Sequence, residues 1–213
     1  MLSKKPNIFQ MARAPFLSSI ISPLIAGTLL SISINNSVNV LGFLFVLIMG
    51  VGLHVATNVY NDIYDTKQGT DKINVHRNEF SGGSGILLDH PDMMPNMYNL
   101  ARAGLIMALI GTVALMFVVH KSLWLHLWGL YLLSAFFSKY YTAAPIKVAY
   151  RGLGEVSVWF AFGPMAILVA AVSQNLGFHP TILIGMPATG ISTLSILLLG
   201  QMIDLDADKA TGK

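Results

Sequence analysis

The feature that most constrains this chain is a series of apolar runs, each long enough to cross a lipid bilayer. A helix of about 20 residues, rising 1.5 Å per residue, covers the roughly 30 Å of the hydrocarbon layer. Six runs of this kind occur, at about 14–33, 39–60, 100–119, 122–142, 153–173 and 181–203. We therefore expect an all-α integral membrane protein, a multi-span helical bundle with about six transmembrane helices.

Composition agrees with a membrane protein. Hydrophobic residues make up 54% of the chain and charged residues 11%, whereas soluble domains carry roughly 25% charged residues. No part of residues 1–213 is left over for a soluble domain, so we expect one domain. The formal net charge of +3 gives no reason to expect nucleic acid as a partner. The absence of cysteine excludes disulfides and thiolate chemistry.

The basic residues predict the orientation, because cytoplasmic loops close to membrane helices collect Lys and Arg. If the N-terminus lies inside, only Lys121 falls outside. The others fall on the cytoplasmic side: Lys4, Lys5, Arg13, Lys67, Lys72, Arg77, Arg102, Lys139, Lys147, Arg151, Lys209 and Lys213. The expected location is the cell (inner) membrane, with the N-terminus and the active site facing the cytoplasm.

Two acidic clusters end runs that reach the inner face. The first aspartate cluster is "NVYNDIYDTKQGTD", from Asn58 to Asp71. If the helix continues, Asn58, Asn61, Asp62 and Asp65 stand at i, i+3, i+4 and i+7 and form one stripe.

The second aspartate cluster is "DLDADKATGK", from Asp204 to Lys213. Asp204 and Asp208 share a helix face, while Asp206 points elsewhere and is expected to meet solvent or a neighbouring base.

Clustered carboxylates at a membrane boundary require compensating cations. Oxygen ligands without His or Cys favour hard ions, and Mg²⁺ is typically shared between one or two carboxylates and substrate phosphates. Helix capping is the plainer explanation, but acidic groups at a helix C-terminus oppose the helix dipole. The two clusters and the nearby bases therefore predict a site for Mg²⁺ and a diphosphate.

The long inner connection, residues 61–99, is expected to form a cytoplasmic cap loop. It contains "SGGSG", which favours a hinge, with a backbone phosphate cradle as the alternative. His54 lies one turn before Asn58 and either contacts the acceptor or the diphosphate, or simply packs in the helix.

The two clusters resemble the two aspartate-rich motifs of the UbiA superfamily of intramembrane prenyltransferases. "RAPFLSSIISPLIAG" and "YTAAPIKVAYRGLGE" are also similar to that family. Gly69 stands where a third aspartate often falls, and Asp71 follows two residues later. This "GTD" variant with "SGGSG" looks most like the 1,4-dihydroxy-2-naphthoate polyprenyltransferases of menaquinone biosynthesis.

The resemblance implies an Mg²⁺-dependent enzyme that transfers a polyprenyl group from a polyprenyl diphosphate to a small aromatic acceptor, with membrane lipid around it. The catalytic carboxylates carried over are Asp62, Asp65, Asp204 and Asp208. Metal ligands would be Asn61, Asp62, Asp65, Asp71, Asp204 and Asp208. Substrate-binding groups would be Asn58, Asn61, Lys72, Arg77, Tyr141 and Arg151.

The family typically continues for about three more spans, so we expect this chain to be C-terminally incomplete. Alternatives within the family use another acceptor, such as 4-hydroxybenzoate, a chlorin or an archaeal glycerol-phosphate lipid. A divalent-cation transporter is the alternative outside it, because boundary carboxylates also mark ion pathways. The oligomeric state is left open.

Overall fold

The computed structural model describes residues 5–73 and 83–212, and within these residues every regular element is helical. The α-helices in chain order are α1 Ile8–Met11, α2 Ser18–Asn35, α3 Val40–Gln68, α4 Thr70–Ile73, α5 Ile86–Asp89, α6 Met94–Met116, α7 Trp124–Tyr140, α8 Gly154–Phe160, α9 Ala166–Ser173 and α10 Gly185–Thr211. Short 3₁₀ turns occupy Ala14–Leu17, Pro91–Met93, Lys121–Leu123, Val148–Arg151 and Pro180–Ile184, and a π-helical segment, Ala161–Met165, joins α8 to α9.

Helices long and apolar enough to cross a membrane confirm the predicted all-α, multi-span fold. Within the described residues there are five: Ala14–Asn35, Val40–Gln68, Pro91–Met116, Gly154–Ser173 and Pro180–Thr211. The sixth predicted run, 122–142, forms α7, which has 17 residues. Trp124, His126 and Trp128 interrupt its apolar character, so α7 falls outside this set although it packs against α3 and α6.

Helix α3 lies at the centre of the bundle and packs against α2, α6, α7 and α9. Its contact with α6 is very close, because a Cβ added to Gly52 would lie 2.6 Å from the carbonyl oxygen of Gly104. Small residues at such crossings let two backbones approach directly. Helix α3 also buries Val46 and Met49 in the main apolar core. This packing fixes the position of the polar end of α3.

The polar end of α3 remains helical beyond its apolar run. The helix has 29 residues, or about 44 Å at 1.5 Å per residue, and ends at Gly69 with φ of 86°. The predicted cap loop of residues 61–99 is therefore shorter than expected, because α3 extends to Gln68 and α6 begins at Met94. The extra turns stay helical because their polar side chains find partners on neighbouring elements.

Helix α10 runs back to the same end of the bundle as the polar end of α3. It packs against α8 and the π-helical segment, where a Cβ added to Gly163 would meet the carbonyl oxygen of Met186 at 2.4 Å. At its C-terminal end the hydroxyl oxygen of Thr211 lies 3.1 Å from that of Thr70 in α4. The fold thus brings both aspartate clusters to one end of the molecule.

Candidate active site

A cavity of about 400 Å³ opens between α3, α8 and α10, a volume typical of small-molecule sites. From the first aspartate cluster it is lined by Asn58 and Asn61, and from the second by Asp204 and Asp208. Tyr141, another predicted substrate-binding residue, also lines it. The two clusters, more than 130 positions apart in sequence, therefore contribute side chains to one cavity. We call this the main cavity.

The aspartates of the first cluster lie behind the wall of the main cavity rather than on it. Asp62, Asp65 and Asp71 are all buried, and none is among the lining residues. The predicted stripe on α3 is therefore divided, with Asn58 and Asn61 at the cavity and the carboxylates packed against other elements. Asn58 is held in place by donating from Nδ2 to the carbonyl oxygen of Ala12 at 3.2 Å.

Asp62 faces Arg13, a residue that the sequence analysis did not assign to the site. One guanidinium nitrogen of Arg13 lies 3.7 Å from Oδ1 of Asp62, and their side chains are 10% and 2% exposed. Oδ1 also accepts a hydrogen bond from the backbone N–H of Ser84 at 3.0 Å, while the buried Oδ2 has no hydrogen-bond partner within the described part of the chain. Arg13 lines the main cavity as well, so it places a positive charge between Asp62 and that space.

Asp65 accepts hydrogen bonds from donors on two elements, α3 itself and the 3₁₀ turn Val148–Arg151. Its Oδ2 accepts from Asn61 Nδ2 at 3.1 Å, and its Oδ1 accepts from the Tyr150 hydroxyl at 2.9 Å. The Tyr150 hydroxyl also lies 3.0 Å from the hydroxyl of Thr70, which in turn meets Thr211. We call the series Thr211, Thr70, Tyr150 and Asp65 the hydroxyl chain. It links the last turn of α10 to the first cluster.

Asp71 is covered by the described part of "SGGSG". Its Oδ2 accepts from the Thr66 hydroxyl at 2.9 Å, and a Cβ added to Gly83 would lie 1.8 Å from its Oδ1. Because Ser84 also binds Asp62, this segment lies directly over two carboxylates of the first cluster. Ser81 and Gly82 lie outside the described residues.

The predicted basic residues lie away from the main cavity or outside the described residues. Lys72 is exposed and does not line it. Arg151 is exposed, and its guanidinium donates to the carbonyl oxygens of Ile146 and Pro145. Arg77 lies outside the described residues. Among the described residues, the lysine and arginine side chains that line the cavity are Arg13 and Lys209.

Sequence signals for the missed residues were present but weak. Arg13 directly precedes an apolar run, within "RAPFLSSIISPLIAG", and Lys209 follows Asp208 within the second cluster. Tyr150 stands beside the predicted Arg151 in "YTAAPIKVAYRGLGE". Asp206 is exposed, as predicted.

A second cavity of about 80 Å³ lies deeper in the bundle. It is mostly apolar, with walls that include Leu24, Met49 and Val169. Residues common to its wall and that of the main cavity are His54, Thr57, Tyr141, Val158 and Phe162. These five residues form the junction between the two cavities.

The carboxylate and amide oxygens fit the way in which Mg²⁺ is usually held. Between residues 5–73 and 83–212, no three His, Cys, Asp or Glu side chains are grouped closely enough to hold a metal ion by themselves. Mg²⁺, however, commonly takes one or two carboxylates together with waters and substrate phosphates. Asp204 and Asp208 on one wall with Asn61 on the same cavity, and the buried Oδ2 of Asp62 nearby in the first cluster, provide donors of that kind.

Three relatives show what the chain is similar to. It is 27% identical to the 1,4-dihydroxy-2-naphthoate octaprenyltransferase of Bacillus subtilis over 207 residues, which cover 97% of this chain and 63% of that protein. It is 26% identical to the 2-carboxy-1,4-naphthoquinone phytyltransferase of Synechocystis, over 80% of this chain and 52% of the relative. It is 27% identical to the UbiA prenyltransferase domain-containing protein 1 of Dictyostelium discoideum, over 78% of this chain and 49% of that relative.

The chain thus spans less than two thirds of the length of these relatives. No family model and no solved structure matches it. The similarity nonetheless runs along almost the whole chain and includes enzymes of the same class from several organisms. This similarity, together with the two aspartate clusters at one cavity, shows that the chain resembles prenyltransferases of the UbiA superfamily.

Proposed function

We propose that this protein transfers a polyprenyl group from a polyprenyl diphosphate to a small aromatic acceptor. The observation that carries the proposal is the main cavity, to which both aspartate clusters contribute side chains. A diphosphate needs cations and hydrogen-bond donors at one end of its site, whereas its isoprenoid chain needs an apolar wall. The main cavity offers both.

The polar end suits the diphosphate leaving group. Mg²⁺, where bound, supplies a Lewis acid that stabilises negative charge on the departing diphosphate. The residues proposed to hold it are Asn61, Asp62, Asp65, Asp71, Asp204 and Asp208. Arg13 and Lys209 line the same cavity and place fixed positive charge where negative charge develops, which is the condition for lowering such a barrier.

The apolar part of the wall suits the isoprenoid. Val158, Phe162, Ile196 and Leu197 line the cavity beyond its carboxylates. An allylic carbocation reacts readily with water, so a wall of this kind protects it until the aromatic ring attacks. Glu155 accepts a hydrogen bond from Gln201 at 2.9 Å, which ties α8 to α10 along the wall of the main cavity.

The acceptor that we propose is 1,4-dihydroxy-2-naphthoate, as in menaquinone biosynthesis. The support is that relatives named for naphthoate or naphthoquinone substrates match the chain over most of its length. We further propose that the active site faces the cytoplasm, because Lys and Arg concentrate at that end of the predicted topology.

The test is prenyl transfer by the purified protein in detergent, with Mg²⁺, labelled polyprenyl diphosphate and a panel of acceptors that includes 4-hydroxybenzoate. Two substitutions in α10 form a matched pair, since Asp204 is buried at the cavity and Asp206 is exposed. Asp204→Ala is expected to abolish turnover and Asp206→Ala to leave it unchanged, with both proteins folded. Equal rates in the two variants would contradict the role of the second cluster. Product with 4-hydroxybenzoate alone would contradict the naphthoate assignment.

A further inference from the structure

His54 is a buried polar side chain that the reaction as described above does not use. It is 6% exposed, and neither of its ring nitrogens has a hydrogen-bond partner among residues 5–73 and 83–212. Buried polar atoms in native proteins are nearly always hydrogen-bonded, so an exception calls for an explanation. A histidine that merely packs in a helix would normally bind a backbone carbonyl or a neighbouring side chain.

The hydroxyl of Thr57, another polar residue at the junction, already has partners inside the protein. The Thr57 hydroxyl donates to the carbonyl oxygen of Leu53 at 2.8 Å and lies 2.9 Å from the Ser138 hydroxyl. Ser138 also donates to the Leu53 carbonyl, at 3.2 Å. His54 differs because its ring packs edge-to-face on Phe162, with centroids 5.3 Å apart. That contact orients the imidazole without satisfying its nitrogens.

The position of His54 matters because it lines both cavities. The inner cavity, at about 80 Å³, is roughly half the size of the 150 Å³ apolar cavity known to admit benzene. An aromatic ring cannot therefore lie wholly inside it. A ring that uses this space must extend through the junction into the main cavity, and its polar substituents then pass His54.

We propose that His54 is a positioning residue that hydrogen-bonds a ring hydroxyl of the aromatic acceptor. A neutral imidazole has one nitrogen that accepts and one that donates, so it can accept from a phenolic hydroxyl and donate to a second ring oxygen. This contact holds the ring at the junction, with its free edge toward the main cavity where the isoprenoid is expected. It selects hydroxylated rings, because an acceptor without the hydroxyl leaves the imidazole unpaired. The inference deepens the proposed function and rests on it.

The experiment compares His54→Phe, which keeps a ring of similar size, with His54→Gln, which keeps an amide able to donate and accept. Calorimetric binding in detergent uses 1,4-dihydroxy-2-naphthoate and 2-naphthoate, which lacks both hydroxyls. The wild-type protein and His54→Gln are expected to prefer the dihydroxy ring by at least about tenfold, the scale of a lost buried hydrogen bond. His54→Phe is expected to bind both rings equally.

Steady-state kinetics provide a second measurement, because a purely structural defect would not change KM for one substrate alone. His54→Phe should raise KM for the acceptor and leave KM for the polyprenyl diphosphate unchanged. If His54→Phe does not fold, His54→Leu takes its place in both measurements. Preserved discrimination without the imidazole, or an equal rise in both KM values, overturns the role of His54. Absence of product from the wild-type protein with every acceptor overturns the proposed function instead.

Discussion

Replacing Arg13 tests whether burial or distance decides the strength of an ion pair in this protein. The pair of Arg13 and Asp62 is long, at 3.7 Å, but almost fully buried. The pair of Lys5 and Asp92 is shorter, at 3.2 Å, but its side chains are 73% and 59% exposed. Arg13→Met and Lys5→Met remove one positive charge each and keep an unbranched side chain. They are therefore matched substitutions.

The longer, buried pair is expected to contribute more to stability than the shorter, exposed pair. At 3.7 Å the Coulomb attraction is about 4 kcal/mol for an effective dielectric constant of about 20. Removing one partner of a buried pair typically costs about 3–5 kcal/mol, because the remaining charge is stranded. Ser84 still donates to Asp62, so we expect a loss near the lower end, about 3 kcal/mol. An exposed pair contributes about 0–1 kcal/mol, which sets the expectation for Lys5→Met.

The assay is equilibrium unfolding in mixed detergent micelles, followed by the circular dichroism of the helices. A double variant, Arg13→Met with Asp62→Asn, removes the stranded charge and should recover most of the loss, which a double-mutant cycle measures as coupling between the two sites. If Arg13→Met destabilises the protein no more than Lys5→Met, the buried ion pair does not contribute as argued. Additive losses in the double variant would contradict the coupling.

Three further predictions concern packing and the first aspartate cluster. Gly83→Ala should displace the segment over Asp71, because its Cβ would lie 1.8 Å from Oδ1, and proteolysis near this segment should accelerate. The control is Gly129→Ala, whose Cβ would have nothing within 4 Å. This control should be neutral or stabilise the protein by up to about 1 kcal/mol. Gly52→Ala should destabilise by about 1–3 kcal/mol through overpacking, since α6 backbone lies 2.6 Å from the added Cβ, and unchanged unfolding would refute this contact. Tyr150→Phe should lower the free energy of unfolding by about 1–3 kcal/mol, because Asp65 loses a hydrogen-bond donor. The control is Tyr98→Phe, which should matter little because the hydroxyl of Tyr98 accepts from Lys67 at an exposed site.

Much of the architecture was predictable from residue type and run length. Apolar runs predict membrane-spanning helices because the thickness of the hydrocarbon layer sets the length that such a helix needs. In the described residues, five of the six predicted runs form helices long and apolar enough to cross a membrane. The run that does not, α7, differs by carrying Trp124, His126 and Trp128. The end of α3 could not be placed from hydropathy, because its last turns are stabilised by tertiary partners such as Tyr150 that lie 85 positions away.

The composition of the site was predictable only in part. Helical spacing correctly grouped Asp204 with Asp208 on the cavity and separated Asp206 from them. Spacing alone could not show that Asp62 and Asp65 lie behind the cavity wall, because their partners come from distant parts of the chain: Arg13 and Ser84 for Asp62, and Tyr150 for Asp65. The same limit applies to His54, whose missing hydrogen bonds become visible only once its neighbours are known.

The hydroxyl chain couples the two halves of the site mechanically. Its three contacts, of 3.1, 3.0 and 2.9 Å, connect Thr211 through Thr70 and Tyr150 to Asp65. The final turn of α10 therefore cannot shift without stretching one of these contacts or pulling Tyr150 and Asp65 along with it. A displacement at one aspartate cluster is therefore transmitted to the other through these hydroxyl contacts.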